Sequence, residues 1–170
     1  EFATAENMKS FLMANSDRQY DDRWYKAGEL RSVASEINDF AFSGAKGTSE
    51  VISKDNVFYA ARVMETAMVP DSVYVRHILL QGADAAKADS LISVLKGKKA
   101  TFASVASEYS ADNNKNVPER GDIGWMTQTY MIPGFESVLT AKTGELFVLN
   151  TQYGKHIVEV TKRTAPVEKK

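Results

Sequence analysis

Val75-Arg76-His77-Ile78-Leu79-Leu80 decides how this chain folds. The run is too short for a helix and rich in strand formers. It holds one of only two histidines among 170 residues. The other, His156, lies in Tyr153-Gly154-Lys155-His156-Ile157-Val158-Glu159-Val160, a second strand-like run. Pairing the two runs side by side closes a small α+β domain around the segment between them. It also brings the two histidines together.

The bulk numbers narrow the function. A hydrophobic content of 44% with 25% charged residues is that of an ordinary globular protein. A net charge of -1 argues against a basic nucleic-acid or anionic-membrane surface. No apolar run approaches the roughly 20 residues that a membrane span needs. Zero cysteines exclude disulfides, thiolate metal sites and a cysteine nucleophile.

Punctuation along the chain sets the elements. Phe2, Ala5, Met8 and Leu12 follow a helical spacing, and Ser16–Arg23 reads as a loop. Leu30, Val33, Ala34, Ile37 and Ala41 form an amphipathic stripe that Gly44 and Gly47 can stop. Val51–Ser53 and Val57–Met64 read as a hairpin turning at Lys54-Asp55-Asn56. Residues 69–72, with Pro70, are the expected linker to a domain over 73–163. In that domain a strand at Val73–Leu80 leads to a helix ended by Gly97. Thr101 is placed to cap a second helix, carried on Phe102, Val105, Ala106 and Tyr109. Pro133 suits the first turn of a third, with Phe135, Val138 and Leu139 facing inward. A hairpin over Leu146–Asn150 and Lys155–Thr161 follows, then a charged tail over 164–170, of which Pro166–Lys170 is expected to fray.

One internal echo stands out. Gly47, Val51, Ile52, Tyr59, Ala60 and Val63 precede Gly144, Val148, Leu149, His156, Ile157 and Val160 by the same interval of 97 positions. Residues 1–68 thus read as a partial, degenerate and non-catalytic copy of the later unit, lacking its first strand and first helix. On that reading the chain begins inside a domain and is expected to be part of a longer protein. The sheet edge left by the missing strand favours a homodimer or strand exchange.

Six motifs in order carry a resemblance over residues 73–163. They are Arg76-His77-Ile78-Leu79, Phe102-Ala103 with Ala106, Tyr109-Ser110-Ala111-Asp112, Gly121-Asp122-Ile123-Gly124-Trp125, Pro133-Gly134-Phe135-Glu136 and Thr151-Gln152-Tyr153-Gly154-Lys155-His156. With them the segment resembles the parvulin-type (PpiC-type) peptidyl-prolyl cis/trans isomerases. The resemblance implies a four-stranded antiparallel sheet surrounded by helices. It also implies the catalytic set His77, Asp112, Thr151, Tyr153 and His156, with a proline pocket of Ile123, Met131 and Phe135. Tyr153 departs from the family's usual Ser or Phe. Gln81–Lys87 lacks the basic cluster of the phosphate-requiring members, so no phosphate requirement is expected. The implied partners are unfolded or proline-containing client polypeptides, with no nucleic acid. The implied placement is periplasmic or otherwise extracytoplasmic, with any membrane attachment through an anchor outside this chain.

The chemistry suits these residue types. Rotation about a peptide bond faces a barrier of roughly 18–20 kcal/mol, and X-Pro is where both isomers are populated. No bond is broken, so the resemblance implies no cofactor and no metal. A catalyst need only bind the twisted amide better than either planar form. Two histidines and a carboxylate could also form a facial metal triad, but no local metal spacing such as His-x-Asp is present. Taken singly, a strand histidine is ordinarily a satisfied core residue, Met131 and Phe135 would be core, and Asp112 would be turn chemistry.

Overall fold

The computed structural model describes residues 1–21 and 23–170; position 22, inside the expected Ser16–Arg23 loop, lies outside the described residues. In chain order the elements are α1 (Met8–Asn15), α2 (Ser35–Ser43), β1 (Ser49–Lys54), β2 (Val57–Arg62), β3 (Ala67–Val69), β4 (Ser72–Leu80), α3 (Ala88–Lys96), α4 (Phe102–Tyr109), β5 (Asp122–Thr127), β6 (Leu146–Thr151), β7 (Gly154–Arg163) and β8 (Val167–Lys169). They form two compact units. One comprises residues 1–69 with 167–170, the other residues 70–166.

The second unit is α+β. Its four-stranded antiparallel sheet has the order β5-β4-β7-β6, so β4 and β7 pair at its centre. On one face, Ile78, Leu80 and Ile157 pack against Ala88 and Leu91 of α3 and Phe102, Val105 and Ala106 of α4. Arg76 closes that face, its guanidinium 4.2 Å from the Phe102 ring centroid and 2.7 Å from the Glu159 carboxylate. Strand alternation sends His77, Leu79 and His156 to the opposite face.

Caps and turns account for most element ends. The Thr101 hydroxyl accepts the Ser104 N–H at 3.1 Å and starts α4 as expected. Gly97 ends α3 as expected, capping it at φ −75°, and Lys98 takes the left-handed turn that follows at φ 53°. The helix expected from Pro133 is only a short 3-10 turn over Glu136–Leu139. Gly134 sits between at φ +95°, which breaks the helical path. Phe135, Val138 and Leu139 are nonetheless buried as expected.

The first unit departs further from expectation. Asn7 accepts the Ser10 N–H at 3.0 Å and starts α1 at Met8, leaving Phe2–Thr4 as a separate 3-10 turn. The stripe from Leu30 is also split. Glu29–Ser32 is a 3-10 turn, Ala34 is extended, and α2 begins at Ser35. Buried Asn38 fixes this by accepting the Gly28 N–H at 2.7 Å. The β1–β2 hairpin forms with Asp55 and Asn56 both at positive φ, the geometry of a type I′ turn. The tail does not fray. Residues 167–169 form β8, antiparallel to β3, with Val167 across from Val69 and Lys169 across from Ala67. Tyr25 and Lys170 exchange main-chain bonds at 3.0 and 2.9 Å. Residue 69 of the expected linker is therefore strand, and only Pro70 and Asp71 separate β3 from β4.

Candidate active site

The β4–β7 register sets His77 across from Val158 and Leu79 across from His156, so the histidines are diagonal neighbours on one face. Their rings stack with centroids 5.1 Å apart, and Nδ1 of one lies 2.9 Å from Nδ1 of the other. Nε2 of His77 lies 2.8 Å from the Asp112 carboxylate. Nε2 of His156 lies 2.7 Å from the Thr151 hydroxyl, and the Tyr153 N–H donates to that hydroxyl at 3.1 Å. Four of the five expected catalytic residues thus meet through side chains. Tyr153 joins through its backbone.

With both imidazoles neutral, these contacts admit one direction of donation. An ionised carboxylate only accepts, so His77 Nε2 carries a proton and His77 Nδ1, in the neutral ring, accepts. His156 Nδ1 must then donate to it, which leaves His156 Nε2 to accept from Thr151. In that state the chain runs from the Tyr153 N–H through Thr151, His156 and His77 to Asp112, with every ring nitrogen satisfied. Burial pushes the His156 imidazole down to about 4, and the neighbouring His77 adds to the effect. At Asp112 burial works upward, but the bonds from His77 and from the Asn114 N–H outweigh it and hold the carboxyl below its ordinary value.

Local structure delivers each part. After α4 the Ala111 N–H donates to the Leu79 carbonyl at 2.8 Å, and the Leu79 N–H donates to the Ser110 hydroxyl at 3.0 Å. Those bonds lay the Ser110–Asp112 segment against the end of β4. The His77 N–H donates to the Gly121 carbonyl at 2.7 Å. Gly121 stands at φ +94°, where an added Cβ would come within 2.9 Å of the Phe102 ring and 3.0 Å of the His77 carbonyl. Ser110 and Gly121 lie in motifs quoted from the sequence, yet composition gave neither a role.

Above the histidines is a cleft of about 720 Å³. Ile123 and Met131 line it, as do Asp112, Tyr153 and both histidines. Phe135 is not among its lining residues. It is fully buried, with its ring edge-on to His156 at 5.0 Å and to His77 at 6.2 Å. Sequence reasoning missed Leu79, Trp125, Met126 and Tyr130, which also line the cleft. Tyr130 is 80% exposed and Trp125 53% exposed. Adjacency of Tyr130 to Met131 was the only signal for it.

A sheet of this order, with stacked histidines under an apolar cleft, defines the parvulin-type α+β class. The chain belongs to the PPIC-type PPIase domain family, whose profile matches residues 58–164. That makes it a member of a peptidyl-prolyl isomerase and chaperone family. It is 27% identical to the chaperone SurA of Chromohalobacter salexigens, over 92% of this chain and 40% of that protein. It is 34% identical to the chaperone SurA of Pseudomonas fluorescens, over 56% of this chain and 24% of that protein. The chain therefore spans well under half the length of these relatives. Among solved structures, PrsA from Bacillus subtilis aligns at 33% identity with a TM-score of 0.46, over 55% of this chain and 36% of that one. Among the described residues no helix is long and apolar enough to cross a membrane.

Proposed function

We propose that residues 70–166 catalyse rotation about X-Pro bonds in unfolded or secreted client polypeptides, without covalent chemistry and without a phosphate requirement. The observation that carries this reading is the juxtaposition of the apolar cleft with the closed hydrogen-bond chain ending at Asp112. Met131 and Ile123 hold the proline ring, and Asp112 faces the substrate carbonyl from beside it. The two neutral histidines orient Asp112 and Thr151 and transfer no proton. Phe135 acts from below by fixing both imidazoles edge-on, so it is a positioning residue rather than part of the pocket wall. A desolvated floor of fixed dipoles favours the twisted amide because it needs no reorganisation as the carbonyl turns. Among the described residues no Lys or Arg lines the cleft, which supports recognition without phosphate. The chaperone relatives support client binding.

The test is Met131→Ala against proline peptides. Loss of one apolar contact of about 1–2 kcal/mol lowers kcat/KM roughly ten-fold, with thermal unfolding unchanged. Equal rates for the parent and the variant would remove Met131 from the pocket. A second reading is favoured by the chaperone relatives: a module that binds polypeptide in the same cleft with little turnover. Binding of an X-Pro peptide with no acceleration of its isomerisation would select it.

A further inference from the structure

Asp112 stands where a fixed segment meets a polar loop. On its N-terminal side Ser110 and Ala111 are tied to Leu79 by the bonds described above. On its C-terminal side Asn113, Asn114, Lys115 and Asn116 are exposed and belong to no helix or strand. The Asn114 N–H donates to Asp112 Oδ1 at 3.0 Å, and the Asn116 N–H donates to Asn114 Oδ1 at 2.9 Å. Both bonds are internal to the loop, so a loop that drifts carries the carboxylate away from His77. An anchor has to come from elsewhere.

Arg120 supplies it from the far end of the loop. Its Nη1 donates to the Asn114 carbonyl at 3.0 Å. Its Nη2 donates to the Asp112 carbonyl at 3.3 Å and to Asn113 Oδ1 at 3.4 Å. The turn that carries Arg120 is itself pinned. The Asp122 carboxylate accepts the Glu119 N–H at 3.2 Å and the Tyr74 hydroxyl at 3.0 Å, while the Asp122 N–H donates to the Glu119 carbonyl at 3.1 Å. Gly121, next in the chain, accepts the His77 N–H at 2.7 Å and has no room for a Cβ. A closed circuit results. It runs from the His77 main chain to Gly121, through Arg120 to the Asp112 carbonyl, and from the Asp112 carboxylate back to the His77 ring. The residue type fits, because a guanidinium presents its donors in a rigid planar fork whereas an ammonium is a point charge.

We propose that Arg120 is a positioning residue for the isomerase reaction, which gathers the start of the loop onto one side chain and so holds the Asp112 carboxylate against His77 at the edge of the cleft. The proposal rests on the reading above that the cleft turns X-Pro bonds. Arg120 is half-buried and is not among the residues that line the cleft, so it acts through Asp112 rather than on the substrate. A group displaced by about 1 Å can cost up to ~100-fold in rate. The apolar grip of Met131 and Ile123 does not depend on the loop. Loss of Arg120 therefore falls on kcat and spares KM.

The experiment uses the whole chain, labelled with 15N, and an Ala-Ala-Pro-Phe peptide. It reads kcat and KM by NMR exchange, together with the imidazole proton on His77 Nε2, which is buried and bonded to Asp112. Arg120→Ala should lower kcat about ten-fold with KM unchanged, and should broaden or remove the His77 proton signal. Arg120→Lys keeps the charge but not the fork, so it should recover only part of each. Lys115→Ala, an exposed neighbour in the same loop, should alter neither. If Arg120→Ala does not fold, Arg120→Gln keeps an amide donor for the loop carbonyls and reads the same quantities. An unchanged kcat and His77 signal in a folded variant would overturn the proposal. So would a rise in KM alone, equal losses in Lys115→Ala, or full recovery by Arg120→Lys. A parent that does not accelerate isomerisation would reject the catalytic reading instead, and loss of the His77 signal in the variant would still assign the hold on Asp112 to Arg120.

Discussion

Acidification should weaken the fold through His156. Its imidazole is 1% exposed, its two nitrogens are occupied by His77 and Thr151, and its pKa is lowered from 6.5 to about 4. The unfolded chain therefore takes up the proton first as pH falls. The stabilising contribution is complete above the unfolded value and is lost as pH falls from 6.5 toward 4, with nothing further lost below. Integrating that difference gives a loss of about 2 kcal/mol at pH 5 and about 3 kcal/mol at pH 4. Other carboxylates titrate in the same range, so the comparison is with His156→Gln, which cannot ionise. Urea unfolding by circular dichroism at pH 7, 6, 5 and 4 reads both proteins. With a urea dependence near 2 kcal/mol per molar, the parent's midpoint should fall about 1 M further than the variant's between pH 7 and pH 5. Midpoints that move in parallel would refute the reasoning, as would an NMR titration placing His156 near its ordinary value.

Other substitutions probe the supports of the site. Gly121→Ala forces a side chain onto a left-handed residue and against Phe102 and the His77 carbonyl. It should cost about 2–4 kcal/mol, read as a lower unfolding midpoint, and an unchanged midpoint would dismiss the close approach of β5 to β4. Thr101→Ala removes the cap of α4 and should cost about 1 kcal/mol, with Thr101→Ser recovering most of it in the same melt. His77→Ala leaves its partners unpaired in a buried chain and should cost about 1–3 kcal/mol. A parent-like urea midpoint would contradict its place at the centre of the chain.

The second unit was legible because its elements obey short-range rules. The runs of strand formers in β4 and β7, the Thr101 cap and the apolar stripes of α3 and α4 are written locally, so the sheet and the meeting of the histidines could be read from sequence. Gly134 shows the limit. The spacing of Phe135, Val138 and Leu139 carried their burial correctly, but a single left-handed residue decided that they sit on a 3-10 turn. In the first unit the deciding contacts are long-range or polar. Asn38 reaches back to Gly28, and β8 finds β3 across nearly a hundred residues, which a charged terminal sequence does not announce. Within the site, the resemblance supplied the residue types and the structure supplied the contacts that join them. Phe135 moved from wall to support for the same reason: burial of a phenylalanine is readable, whereas which of two apolar surfaces it faces is not.

The measurement closest to the central claim is NMR exchange on an Ala-Xaa-Pro-Phe peptide series, with and without the protein. The account predicts cis/trans exchange faster than the uncatalysed rate, indifferent to a phosphorylated residue before proline and weakened by Asp112→Ala or Met131→Ala. Exchange at the uncatalysed rate for every residue before proline would contradict it, and would leave the cleft as a surface that holds polypeptide without turning its bonds.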